Sequence, residues 1–281
     1  MRLAYMMATP EVRTWAQGWT GETAAVGAGI AAIGYTGVEV QTRDPAAFDR
    51  RAFARTLRDA GLTVAMIGTG PMGSEDRLAF VHPDAEVRRR ATERYAAILA
   101  FAAELGADVS VGSARGRFAS VGDRETAWGY LHAALETLLP VAERHGVRLV
   151  IEPQNRFQSD ALNTVAETLD LIARYRSPAL ALEADLYHMV LEEASIPAAL
   201  VTAHRSGLLA HVQAADTNRG APGRGWLPWR DAIGTLHALG YDRFVCVECA
   251  QGPDSGITAR EAYAFLAPLV ARPTGSERGT P

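Results

Sequence analysis

The chain contains no lysine: all 28 of its lysine-or-arginine positions are arginine. Schiff-base chemistry requires a lysine amine, so a class I aldolase and a pyridoxal-phosphate enzyme are both excluded. Cysteine is nearly as scarce, with two in 281 residues, too few for a disulfide framework and in keeping with a reducing compartment. Positive charge is not in surplus either. The formal net charge is -4 and no basic stripe runs along the sequence, so a nucleic-acid partner is not expected and a small molecule is. Long hydrophobic runs are also missing. The opening MRLAYMMATPEVR reaches proline and charge too soon for a secretory signal or a spanning helix, so no membrane partner and a cytoplasmic location are expected.

Apolar residues make up 48% of the chain and charged residues 21%, which supports a sizeable core. Short β-rich runs alternate with longer helical patterns. Strands are expected at RLAYMMA from residue 2, GVEVQ from 37, TVAMIG from 63, DVSVGS from 108, RLVIEP from 148, LALEAD from 180, LAHVQAAD from 209 and RFVCVECA from 243. Amphipathic stretches such as 86–105 and 125–146 lie between them, and Gly34, Gly61, Gly106, Gly146 and Gly240 supply left-handed helix ends just before the next strand. Eight βα units with near-continuous apolar strands predict an α/β fold, a single-domain (β/α)8 TIM barrel over residues 1–272, with 273–281 a disordered tail. An open doubly wound sheet would want a glycine-rich turn after the first strand, and ATPEVRTW is not one.

In such a barrel the chemistry sits at the C-terminal ends of the strands. Those ends carry Glu152, Asp185, His211, Gln213 and Glu248. Three carboxylates converging at an apolar mouth would repel one another without a cation among them. Oxygen-rich ligation with at most one nitrogen suits Mg2+ or Mn2+, with Co2+ tolerated. Period-two alternation puts Cys246 and Glu248 on one face of the last strand and Cys249 on the other, so C-x-x-C is not read as a thiol pair. Cys246 is expected to pack inside the barrel below the site and Cys249 against the helices.

The stretches GYTGVEV, LVIEPQNRFQSDALNT, LEADLYHM, HVQAADTNRGAPGRGWLPW and VCVEC resemble the xylose-isomerase-like sugar isomerases and epimerases, in particular the ketose 3-epimerases and the hydroxypyruvate isomerases. The resemblance implies that Glu152 and Glu248 are metal ligands that also act as the catalytic acid and base, and that Asp185 is a third ligand. Counted back from Asn218-Arg219-Gly220, the fourth ligand falls on Gln213, with His211 one layer deeper; on spacing alone His211 competes for that place. His188 and Arg219 are similar to the family's contacts to substrate oxygens. Gln158 departs from the epimerases, which commonly have glutamate there, whereas the loop from Arg219 to Trp229 resembles them. The implied activity is proton transfer, through an enediolate, on a small ketose or hydroxy-keto compound by a homo-oligomeric enzyme.

Two other readings stay open from the residues: a lyase on the same scaffold, eliminating from a keto-sugar or keto-glycoside with or without a small partner subunit, and a metal-free sugar-binding barrel. Glu183 should point inward and is expected to meet an arginine. Trp15 and Trp19 suit either a wall over the sugar or a packed helix start. Arg115 and Arg117 suit either an anion site or a solvated loop, and His82, His132, His145, His204 and His237 are expected to be structural or exposed.

Overall fold

A computed structural model describes residues 1–271; the expected tail, 273–281, lies outside the described residues. Eight parallel strands close into a barrel in sequence order: β1 (Arg2–Ala8), β2 (Gly37–Gln41), β3 (Thr63–Gly68), β4 (Val109–Val111), β5 (Leu149–Ile151), β6 (Leu180–Asp185), β7 (Leu209–Ala214) and β8 (Phe244–Val247). β8 pairs back onto β1, with Cys246 opposite Ala4, so no edge is left unpaired. All eight expected strands form. β4, β5 and β8 are shorter than the sequence suggests, because the chain leaves the ladder where the polar site begins.

Helices ring the barrel: α1 (Thr23–Ile33), α2 (Arg50–Asp59), α3 (Gly70–Ser74), α4 (Ala85–Leu105), α5 (Arg124–His145), α6 (Val165–Ala173), α7 (Leu186–Glu192), α8 (Ile196–Arg205), α9 (Trp229–Ala238) and α10 (Ser255–Val270). Their starts are written in the sequence: Asp84, Asp123, Ser195 and Asp254 each accept a backbone N–H of the first turn. The glycines after α4 and α5, Gly106 and Gly146, take φ of 66°, a left-handed end that other residues adopt at a cost of about 1 kcal/mol.

Alternation along the strands divides two cores. Val38, Val40, Val245, Val247 and Cys249 face outward into the large core between sheet and helices. Ala4, Met6, Phe244 and Cys246 pack inside the barrel at one level, and Met66, Val150, Ala181 and Ala210 fill it at another. Cys246 and Cys249 therefore lie on opposite faces, both free and buried. Among the described residues no helix is long and apolar enough to cross a membrane.

Candidate active site

The inward positions above the apolar plug are polar, and they open into a cleft of about 530 Å³ at the C-terminal ends of the strands. Glu152 follows β5 directly and Glu248 follows β8, so their carboxylates enter the cleft from strands three places apart around the ring. A continuous chain of contacts joins them. His188 Nε2 lies 3.3 Å from Glu152 Oε1 and 3.5 Å from Asp185 Oδ2. Arg219 then bridges Asp185, at 2.5 Å, and Glu248, at 2.7 Å.

Local structure fixes each member. Asp185 ends β6 and caps α7 through the Tyr187 N–H, which places His188 one turn into the cleft. Asn155 Oδ1 accepts from the Phe157 N–H, so its Nδ2 donates to His188 Nδ1 at 2.8 Å. The imidazole proton is thereby assigned to Nε2, which faces the two acids. Gln154 Nε2 donates to Glu152 Oε2 at 2.9 Å. Gly112, after β4, leaves room for that carboxylate: a Cβ there would run into Glu152 Oε2. Arg219 takes a left-handed φ of 59° within a loop wound around the buried Asp216. The Asp216 carboxylate accepts from the backbone of Thr217, Gly223 and Leu227 and from Trp229 Nε1.

The charges settle unevenly. Burial pushes Glu248 well above the usual carboxylate range, with the Arg219 charge opposing and the Glu152 and Asp185 charges reinforcing it. Burial would raise Asp185 as well, but the charges of Arg219 and His188 and the bond from Arg219 outweigh it and hold the group below its ordinary value.

Sequence reasoning missed Glu39. It lies on β2, fully buried, and accepts from His211 Nε2 at 3.0 Å and from Gln213 Nε2 at 2.9 and 3.1 Å. His211 and Gln213 are two residues apart on one face of β7, so a single carboxylate serves both. The consequence separates two residues that spacing left in competition. His211 Nε2 is committed to Glu39, whereas the amide of Gln213 is turned so that Oε1, buried and without a hydrogen-bond partner among the described residues, is its free atom. The signal for Glu39 was available: an acid at an inward position between Val38 and Val40.

Several expectations are corrected. Among the described residues Glu183 meets no arginine; its Oε2 accepts from Ser110 Oγ at 2.7 Å, and burial together with the charges of Glu39 and Glu152 raises it well above the usual range, favouring the neutral acid. Arg115 is neither a solvated loop residue nor an anion site. It is fully buried and donates to the Glu152 carbonyl at 2.8 Å, bracing the end of β5. Arg117 and His82 line the cleft. Of the two tryptophans, Trp15 lines the cleft, its Nε1 against Met6 Sδ at 3.2 Å. Trp19 is a packing residue whose ring lies against Gly29 and Gly256.

The sequence matches the xylose isomerase-like TIM barrel family over residues 28–269. It is 31% identical over 210 residues to an L-ribulose 3-epimerase of Mesorhizobium japonicum, covering 74% of this chain and 69% of that protein. It is 28% identical over 192 residues to a D-psicose 3-epimerase of Ruminiclostridium cellulolyticum, covering 67% and 64%. The crystal structure of 3-keto-D-glucoside 4-epimerase from E. coli superposes with a TM-score of 0.79 at 22% identity, over 95% of this chain and 100% of that one, a likeness of fold. The relatives found by sequence are sugar epimerases, and with its closed barrel the chain belongs to the xylose isomerase-like TIM barrel family.

Proposed function

We propose that the protein is a divalent-metal-dependent epimerase or isomerase that moves a proton at the carbon next to the carbonyl of a ketose or hydroxy-keto compound. The observation that carries this reading is the buried, unpartnered Gln213 Oε1, held by Glu39 at the edge of the acid cluster. Two of the three carboxylates there, Asp185 and Glu248, share the Arg219 guanidinium, and Glu152 meets the His188 imidazole. An orphaned buried acceptor costs about 1–3 kcal/mol, and a bound cation would satisfy both the oxygen and the surplus negative charge. Glu152, Asp185, Glu248 and Gln213 Oε1 are the residues that would hold the ion, and four oxygen donors suit Mg2+ or Mn2+, with Co2+ tolerated.

When bound, the ion supplies Lewis acidity that makes the C–H beside the carbonyl more acidic. The remaining chemistry belongs to the side chains. One of Glu152 and Glu248 takes the proton and the other, from its separate strand, returns one. Return to the same carbon from the opposite face inverts the centre; return to the neighbouring carbon interconverts aldose and ketose. His188 Nε2–H and the Arg219 guanidinium are donors for substrate oxygens, and Trp15 walls the cleft against water. The epimerase relatives favour proton return over elimination by a lyase.

The test is solvent-deuterium incorporation across a panel of ketoses and hydroxy-keto acids with Mn2+ present. Glu152→Gln and Glu248→Gln are each expected to lower turnover by about 10²–10⁴-fold, in folded protein. Excess EDTA should abolish exchange and added Mn2+ restore it; full activity in EDTA would sink the metal reading.

A further inference from the structure

The cleft has a second end. Beyond the acid cluster it runs out over the loops after β3 and β4, where Arg77, His82 and Arg117 line it. These loops are zipped together by backbone bonds, from Phe80 N to the Ala114 carbonyl at 3.0 Å and from Val81 N to the Arg115 carbonyl at 2.9 Å. Gly116 permits the close approach, since a Cβ there would collide with the Val81 carbonyl and its φ is 84°. Arg77 and His82 on one loop and Arg117 on the other are therefore held along the same rim.

The two arginines of this rim have no direct carboxylate partner among the described residues. The acids before Arg77 are spent elsewhere: Glu75 pairs with Arg13 and lies near Arg43, and Asp76 pairs with Arg43 and Arg94. Asp160 accepts the backbone N–H groups of Phe118 and Ala119, and although it lies within the field of Arg117 it forms no ion pair with it. Among the described residues neither Arg77 nor Arg117 is in ion-pair contact with a carboxylate, and the acids lining the cleft, Glu39, Glu152 and Glu248, are all at its floor. His82 Nδ1 accepts from the Asp84 N–H at 3.1 Å, which leaves the Nε2 proton as a donor. Arg77 also holds a left-handed φ of 55°, a place where a turn ordinarily has glycine or asparagine.

We propose that Arg77, His82 and Arg117 form a subsite for an oxyanion, a phosphate ester or a carboxylate, at the end of the substrate remote from its hydroxy-ketone, so that the preferred substrate is an anionic ketose. The inference rests on the hydroxy-ketone reading above. A cationic rim on a chain of net charge -4 concentrates anions at the mouth of the cleft above its acid floor. Guanidinium groups pair with phosphate and carboxylate oxygens in forked geometry.

Three matched substrates decide it: a free hexulose, its 6-phosphate and the corresponding terminal carboxylate, each followed by deuterium incorporation with Mn2+ present. At least one anionic member is expected to show a kcat/KM some tenfold or more above the neutral sugar, and the better of the two identifies the oxyanion. In the double variant Arg77→Gln/Arg117→Gln that ratio should collapse toward one. A neutral hexulose processed as well as both anionic partners would overturn the subsite. Absence of exchange on all three would instead sink the epimerase reading, and calorimetric titration of the 6-phosphate and of the carboxylate then decides the subsite alone. Binding that weakens in the double variant upholds it, and binding equal in variant and wild type, or none, overturns it.

Discussion

Glu39 shows how one carboxylate can define what its neighbours offer. It accepts from His211 and Gln213 together, so the amide oxygen of Gln213 is presented to the cleft and the imidazole is kept below it. In Glu39→Gln an amide would face an amide, and Gln213 would lose its reason to keep Nε2 turned away from the acids. Mn2+ affinity measured by titration is expected to fall about 10–100-fold in folded protein, the usual penalty for removing a partner that orients a ligand. An unchanged affinity would show that Gln213 Oε1 is not the ligand or needs no orientation. Local sequence hides this relation because Glu39 and Gln213 are 174 residues apart. Arg115 and Arg117 make the same point over a shorter span. They are two residues apart, yet one is buried under the Glu152 carbonyl and the other lines the cleft, and nothing in S-A-R-G-R distinguishes them.

Individual elements were more legible than their contacts. Strand periodicity placed Glu152, Asp185, Gln213 and Glu248 at one end of the sheet and sent Cys246 and Cys249 to opposite faces, because alternation is a local property of the chain. What periodicity could not show was the partner of Glu183, since Ser110 comes from a strand 73 residues away. The loop between β7 and α9 is an element of a different kind, irregular and organised by Asp216. Burial would raise that carboxyl, but the bonds from Trp229, Leu227, Thr217 and Gly223 outweigh it and hold it below its ordinary value. A depressed folded-state pKa contributes stability that is present above the unfolded value, near 4, and is lost as pH falls through the folded one. Asp216→Asn is therefore expected to lose about 2–3 kcal/mol at neutral pH, as a group with charge-assisted bonds does. Denaturant midpoints should show that gap narrowing below about pH 4. Because Arg219 rides on this loop, substrate KM should rise in the same variant.

For the whole molecule, the proposed ion, held by residues from four strands, would be linked to global stability. With free Mn2+ at about 100 times its dissociation constant, the folded state would gain about 2.7 kcal/mol, which for a chain of this size raises Tm by roughly 5 °C. Scanning calorimetry with Mn2+ and with EDTA should show that shift in the wild type and a smaller one in Asp185→Asn. The missing lysines have a molecular counterpart as well, since every cation that the cleft presents is a guanidinium or an imidazole, and neither forms an imine.

The tie between Glu39 and β7 has one more implication. β2 is laid down early in the chain and β7 late, and they face each other only across a finished ring. A nascent or split chain holding only one half of the strands has either the acceptor or the two donors, never both. The orientation of Gln213 thus reports ring closure, and a protein still lacking its last strands can expose the right residues without yet possessing the site.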